Sequence, residues 1–283
     1  MRKRIFKDEQ VLRKVLERLY FEDKLSLKTI ARILQVDYRT VWRWFEKLGI
    51  PRRSLSDAIS LALSSTYHRP YDPSKDKDTV IELNALTHTD FTWQHERRKM
   101  HIHSATSHIG QIYFLNKITR RHELMPVRCA PTYSTEINYQ WQIYTHLNES
   151  FKKAIDDNKI GYLESLKDDK NSLLLYFTRI VECDGWIEIL TPSNDKTPYK
   201  KRINTYVGFA QKDYQYVHRL AKIISEVFKV PVSVRYNKRK HLTKLYLPTT
   251  DTRVRDLLRK MPMVHPERNL KRKLALKYTG EEV

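Results

Sequence analysis

The sequence predicts an α+β protein in which an all-α N-terminal module precedes a module built from two copies of one unit. Three observations predict it. Helix-period apolar runs fill the first fifty residues, a proline- and charge-rich break follows, and short motifs recur beyond the break at fixed offsets. Each copy reads helix, two strands, helix, two strands, helix.

Apolar side chains at Val11, Leu12, Val15, Leu16 and Leu19 have helical spacing over residues 8–22. Ser26 is then placed to cap a helix through Leu34 whose inner face is Ile30, Ala31 and Leu34. The turn Gln35-Val36-Asp37 leads to a second helix with Val41, Phe45 and Leu48 inward. Gly49 is its C-cap and Pro51 stops it. Two short helices joined by a three-residue turn, with small Ala31 at the crossing, form the helix-turn-helix arrangement. The stretch SLKTIARILQVDYRTVWRWFEKLGIPRRS resembles the helix-turn-helix of transposase, resolvase and sigma-factor relatives over roughly residues 8–54. That resemblance implies that Tyr38, Arg39, Thr40 and Arg43 reach base edges in the major groove, with Lys47, Arg52 and Arg53 on phosphates. Residues 1–56 hold 15 Lys plus Arg against 7 Asp plus Glu.

The break YHRPYDPSKDK, residues 67–77, reads as a linker between a domain at 1–66 and the repeats, assigned to 78–165 and 166–283. Leu115-Asn-Lys117-Ile118 recurs as Leu220-Ala-Lys222-Ile223 and Pro126-Val127 as Pro231-Val232, both 105 residues on. Asp90 and Asp184 each end an apolar helical stretch, but lie only 94 apart. The second copy is therefore expected to carry an insertion in the hairpin after its acid, around Lys196–Lys201. The pieces of the first copy are 78–89, 91–97, 100–106, 108–121, 125–133, 139–147 and 148–156. Those of the second are 171–183, 186–193, 200–210, 213–228, 231–237, 241–247 and 251–260.

Composition narrows the partner. The 283 residues carry 53 Lys plus Arg and 33 Asp plus Glu, a net charge of +20 and a pI near 9.8. In a chain that is 40% hydrophobic, that excess points to a polyanion, with nucleic acid the leading candidate. No apolar run is long enough to span a membrane, and no apolar signal core follows the basic MRKRIFKDEQ. A soluble, intracellular, nucleoid-associated protein is expected, cytoplasmic in location. Cys129 and Cys183 make neither a disulfide framework nor a CxxC metal pair. The six glycines form no phosphate-cradling loop.

The motifs LNALTHTDF (83–91) and FTRIVECDG (177–185), within their repeat, resemble those of the LAGLIDADG homing endonucleases; the likeness covers about residues 78–275. It implies a single-chain, monomeric fold with a pseudo-two-fold axis, its two motif helices packed together and their terminal acids meeting at double-stranded DNA. It also implies a curved antiparallel sheet from each repeat lying in the major groove. Asp90 and Asp184 would be the catalytic, Mg2+-holding pair, and Glu182 a structural or capping acid. Gln211 with Lys212 matches the polar position ending the second strand, where the first copy has Ser107 and His108. Lys159 and His265 are the candidate basic helpers. Ala85 and Arg179 stand where the family has glycine, and Phe91 replaces the closing glycine of the first copy.

Other residues suggest DNA contact. Lys200, Lys201 and Arg202 are expected on phosphates. His101 and His103 share one strand face, expected to line a DNA-facing sheet with Trp93, His95 and Arg97 rather than to hold a metal. The function expected is sequence-specific, magnesium-dependent cleavage of double-stranded DNA. Its alternatives are a catalytically inactive regulator of transcription, an RNA-splicing maturase, and, for the two acids, separate helix caps with no shared site.

Overall fold

The computed structural model describes residues 9–23, 25–54, 57, 70–96, 99–133, 139–190 and 204–279. The chain divides into two compact units, 1–68 and 69–283.

In the first unit α1 (Glu9–Glu17) runs into a π-helical turn (Arg18–Glu22), followed by α2 (Leu27–Ile33) and α3 (Tyr38–Lys47). Ser26 caps α2 by accepting from the Thr29 N–H, and Asp37 caps α3 by accepting from the Arg39 N–H. Gln35 and Gly49 take the left-handed conformation that ends each helix, with φ of 51° and 60°. Leu12, Leu16, Tyr20, Ile30, Ala31, Val41, Phe45 and Ile50 form the core. Val11, expected inside, is exposed.

The second unit contains α4 (Lys77–Thr87), β1 (Thr92–Glu96), β2 (Lys99–Thr106), α5 (Ile109–Arg121), β3 (Arg128–Tyr133) and β4 (Tyr139–Asn148). A 3-10 turn (Glu149–Ala154) and α6 (Lys159–Leu166) lead to α7 (Lys170–Cys183), β5 (Gly185–Leu190) and β6 (Asn204–Gln211). Then come α8 (Tyr214–Phe228), β7 (Ser233–Asn237), β8 (Leu242–Pro248), α9 (Thr252–Lys260) and α10 (Pro266–Tyr278). Residues 148–156, expected as an α-helix, form only the 3-10 turn, and the eight-residue α6 was not anticipated.

The two antiparallel sheets have the same strand order, β1-β2-β4-β3 and β5-β6-β8-β7. Matching their registers sets His103 against Gly208, because Thr92 pairs with His103 as Trp186 pairs with Gly208. That is again an offset of 105. The β1–β2 hairpin has two residues between its strands and β5–β6 has 13, a difference of 11 that accounts for the step from 94 to 105. The insertion lies at 191–203, outside the described residues, as do Lys200, Lys201 and Arg202.

Helices α4 and α7 pack on one another and are buried nearly all round, as central helices are. Helix α4 gives Ile81 and Ala85 to one core and Leu83 and Leu86 to the other. The two cores therefore share the helix pair, and the pair is held along its length. Among the described residues no helix is long and apolar enough to cross a membrane.

Candidate active site

The ends of the central helices build the site. Asp184 is the C-cap of α7, and Asp90 follows the C-cap His88 of α4 by two residues. Both carboxyls thus sit at the negative end of a helix, where the last carbonyls lack intrahelical partners. The structure brings the two side chains together, with a hydrogen bond between their carboxyls. Burial first, then that hydrogen bond and the charge of Asp90, push Asp184 up to about 9, against Lys159 and Gln211 which pull it down. Two acids held this way are stable only when they share a proton or neutralise a cation.

Lys159 and Gln211 flank Asp184. The Lys159 ammonium donates to the His88 carbonyl at 2.8 Å, and the Gln211 amide donates to the same oxygen at 2.7 Å. Gln211 also hydrogen-bonds Asp184. Its buried Oε1 has no partner among the described residues. Burial lowers the Lys159 ammonium, while the charges of Asp213 and Asp184 favour its protonated form. Asn84 fixes the loop before Lys159 by donating to the Ala154 carbonyl and accepting from the Asp156 N–H.

The equivalent positions in the first repeat differ. The strand register sets Thr106 where the second repeat has Gln211, and Ser107 where it has Lys212. The expected matches, Ser107 and His108, are one residue too far along. Helices α6 and α10 correspond through their caps: Asn158 accepts from the Gly161 N–H and His265 from the Arg268 N–H, each three residues on. Pro266 therefore stands where the other half has Lys159. The His265 ring is committed to the α10 cap and packs against Phe114. Burial, with Arg268 adding to it, pushes that imidazole down to about 4, so it is neutral at pH 7. As a basic helper His265 does not fit.

Beneath the acids lie two buried polar groups related by the same pseudo-symmetry. On one side His88 Nε2 donates to the Asp156 carbonyl at 2.6 Å. Its Nδ1 then accepts from Tyr176 at 2.7 Å, and Tyr176 meets Tyr216 at 2.9 Å. On the other, Arg179 is fully buried between Glu82, at 2.6 Å, and Glu182. Glu182 also accepts from the N–H groups of Val264 and His265, and Arg179 donates to the Pro262 carbonyl. Burial alone would raise Glu82, but His122 and the charges of Arg179 and Arg121 outweigh it and hold it below its usual range. Glu182 is raised by burial against those same kinds of support. The glycine-to-arginine change at the helix seam is thus matched by two acids, and Glu182 is a structural group. Sequence reasoning found Glu182 but missed His88, although each lies two residues before its aspartate.

Strand register corrects the reading of the first sheet. Trp93 pairs with Ile102 and His95 with Met100, so both lie on the face opposite His101 and His103. Trp93 donates its indole N–H to Asp157 at 2.8 Å. His101 and His103 instead share a face with His146 and Tyr144, their rings 4.9 to 5.2 Å from His101. Arg97 lies outside the described residues. On the second sheet the corresponding face carries Trp186 and Tyr246, with Lys244 over the first ring and Arg235 over the second, each at 5.6 Å. Gly208 makes room for Trp186, because a Cβ there would lie 2.3 Å from the indole.

In the N-terminal unit Tyr38, Arg39 and Arg43 are exposed along α3 and Thr40 is half-buried. Arg53, expected on a phosphate, instead lies 3.9 Å over the Tyr20 ring and donates to the Leu25 carbonyl. Lys212 is exposed, and Lys201 is outside the described residues.

Among the described residues no group of three His, Cys, Asp or Glu side chains could hold a metal. The two-carboxylate set therefore does not fit a zinc centre. It fits a magnesium-type cation, which takes one or two carboxylates and completes its shell with water and phosphate oxygens. No family model and no curated protein matches the chain. Among solved structures it is similar to the homing endonuclease I-WcaI bound to its DNA recognition sequence, at 16% identity and a TM-score of 0.49, over 78% of this chain and 95% of that one. It is also similar to I-DmoI in complex with DNA and Mn, at 9% identity and a TM-score of 0.42, over 67% of this chain and 98% of that one. A third is the I-LtrWI LAGLIDADG homing endonuclease bound to target DNA, at 10% identity and a TM-score of 0.46, over 71% and 90%.

Proposed function

We propose that the protein is a sequence-specific, metal-dependent endonuclease of double-stranded DNA, of the LAGLIDADG kind. The observation that carries this reading is the shared hydrogen bond between Asp90 and Asp184 at the ends of two packed helices. Nothing in the packing of the helices requires acids there, and the helix dipoles oppose them. Asp90 and Asp184 would hold a magnesium-type cation, which polarises a phosphodiester and lowers the pKa of a bound water. Lys159 places positive charge beside the same point, and Gln211 offers its unpartnered Oε1 to a water there. The polar and aromatic faces of the two sheets supply base and phosphate contacts, and α3 brings Tyr38, Arg39, Thr40 and Arg43 as a second reading element.

A non-cleaving DNA-binding regulator is the second reading. Thr106 and Pro266, standing where the other half has Gln211 and Lys159, favour it. Incubating the full chain with a random-sequence duplex library and Mg2+ separates the two. Wild-type protein is expected to produce cut ends, while Asp90→Asn and Asp184→Asn bind the selected duplexes without cutting. Binding with no cut ends in Mg2+ or Mn2+ would overturn the endonuclease reading in favour of the regulator.

A further inference from the structure

The two halves of the site are not equivalent, and the difference is chemical. At the Asp184 corner, an ammonium and a carboxamide converge on the His88 carbonyl at 2.8 and 2.7 Å. At the Asp90 corner the matching side chains are Pro266, which has no donor, and Thr106, whose hydroxyl accepts from the His108 N–H at 3.0 Å. The carbonyl matching that of His88 belongs to Glu182, 94 residues on. The residue before Pro266, His265, is neutral at pH 7 and occupied as a cap. The second corner therefore carries neither the positive charge nor the free amide oxygen of the first.

We infer that, if the protein is an endonuclease as proposed above, it cuts one DNA strand well ahead of the other and releases mainly nicked DNA, with Lys159 and Gln211 serving the strand at the Asp184 corner. Each cut is a hydrolysis. A water oxygen forms a bond to phosphorus while the bond from phosphorus to one bridging sugar oxygen breaks. The electron pair of that bond stays on the departing oxygen, which takes up the proton the water gives up. Negative charge grows on the phosphate oxygens during this exchange, and a fixed cation and donor beside them are worth most at that moment. The water must also be aimed, and the Gln211 Oε1 can accept one of its protons in a hydrogen bond. At the other phosphate both contributions are missing, so the barrier there is higher.

The test uses the full chain, a duplex recovered from the random library, and separate end labels on its two strands. One strand should be cut at least about 10²-fold faster, the usual effect of one such donor, and a supercoiled plasmid carrying the site should accumulate as nicked circle. Lys159→Met and Gln211→Ala should slow the fast strand and leave the slow one unchanged, at unaltered melting temperature. A second readout does not depend on cleavage. Replacing one scissile phosphate by a neutral methylphosphonate should lower affinity in EDTA when made in the fast-cut strand and not in the other, and Lys159→Met should erase that difference. Equal rates on both strands, or a methylphosphonate effect equal for both, overturns the inequality of the corners while leaving the endonuclease reading intact. A bound duplex cut on neither strand overturns the endonuclease reading and this inference with it.

Discussion

Removing the Arg179 guanidinium should cost the fold more than any other single change at the helix seam. Arg179 is fully buried and bridges Glu82 on α4 to Glu182 on α7, so it ties the two central helices together. Breaking a buried ion pair by deleting one partner costs about 3–5 kcal/mol, because a charge is left without compensation. Here the loss is uneven. Glu82 keeps Arg121 at 3.0 Å and His122 at 2.6 Å, whereas Glu182 keeps only two backbone N–H groups. Arg179→Met should therefore fall near the lower end, about 3 kcal/mol, and most of it should come from Glu182. A neutral amide still accepts from the Val264 and His265 N–H groups, so adding Glu182→Gln should recover at least half of the loss. Urea unfolding of the single and double variants measures both. A cost below about 1 kcal/mol, the range of a surface pair, or no recovery in the double variant, would refute this account of the seam.

Three further outcomes are expected. The folded-state value of Asp184, raised to about 9, lies above the unfolded value of ~3.9, so the native state holds the extra proton and stability is lost as pH rises between the two. In EDTA the wild-type melting temperature should thus fall more steeply from pH 5 to pH 8.5 than that of Asp184→Asn, and Mg2+ should restore the wild type alone; parallel curves would count against the pair. Arg39→Ala and Arg43→Ala should each cost ~1–3 kcal/mol at particular base pairs, read by affinity for single-base variants of the selected duplex, and an unchanged preference profile would remove α3 from the reading surface. Gly185→Ala should destabilise by about 1–3 kcal/mol, because its Cβ would lie 2.6 Å from the Gly208 carbonyl and 2.6 Å from the Val181 Cα, both backbone atoms; calorimetry showing no loss would contradict that close approach.

Much of the fold was legible because offsets in a repeat are a strong constraint. The acids at 94 and the later motifs at 105 required an insertion in one hairpin, and β5–β6 is longer than β1–β2 by that difference. The caps at Ser26 and Gly49 were legible for a local reason, since each residue type fits a particular backbone geometry. What stayed hidden depends on partners distant in sequence. Arg179 looks misplaced until Glu82, 97 residues earlier, is set beside it. The His88–Tyr176–Tyr216 chain joins two helices and the start of a third, and no spacing rule links them. Alternation along a strand shows which residues share a face, but not how one strand registers on the next. That is why Trp93 and His95 were placed with His101, and why Thr106 was missed as the counterpart of Gln211. Asp90 and Asp184 were found because each ends a helix in the same repeated frame, and their contact follows from the packing of α4 on α7.

The central claim, that Asp90 and Asp184 together hold a divalent cation against DNA, is tested most directly by Mn2+ binding, followed by electron paramagnetic resonance. The measurement compares wild type, Asp90→Asn and Asp184→Asn, each bound to the selected duplex with non-cleavable linkages. The account predicts tight Mn2+ uptake by the wild-type complex, lost in both variants while their affinity for the duplex persists. Mn2+ uptake by either variant equal to that of the wild type would contradict it.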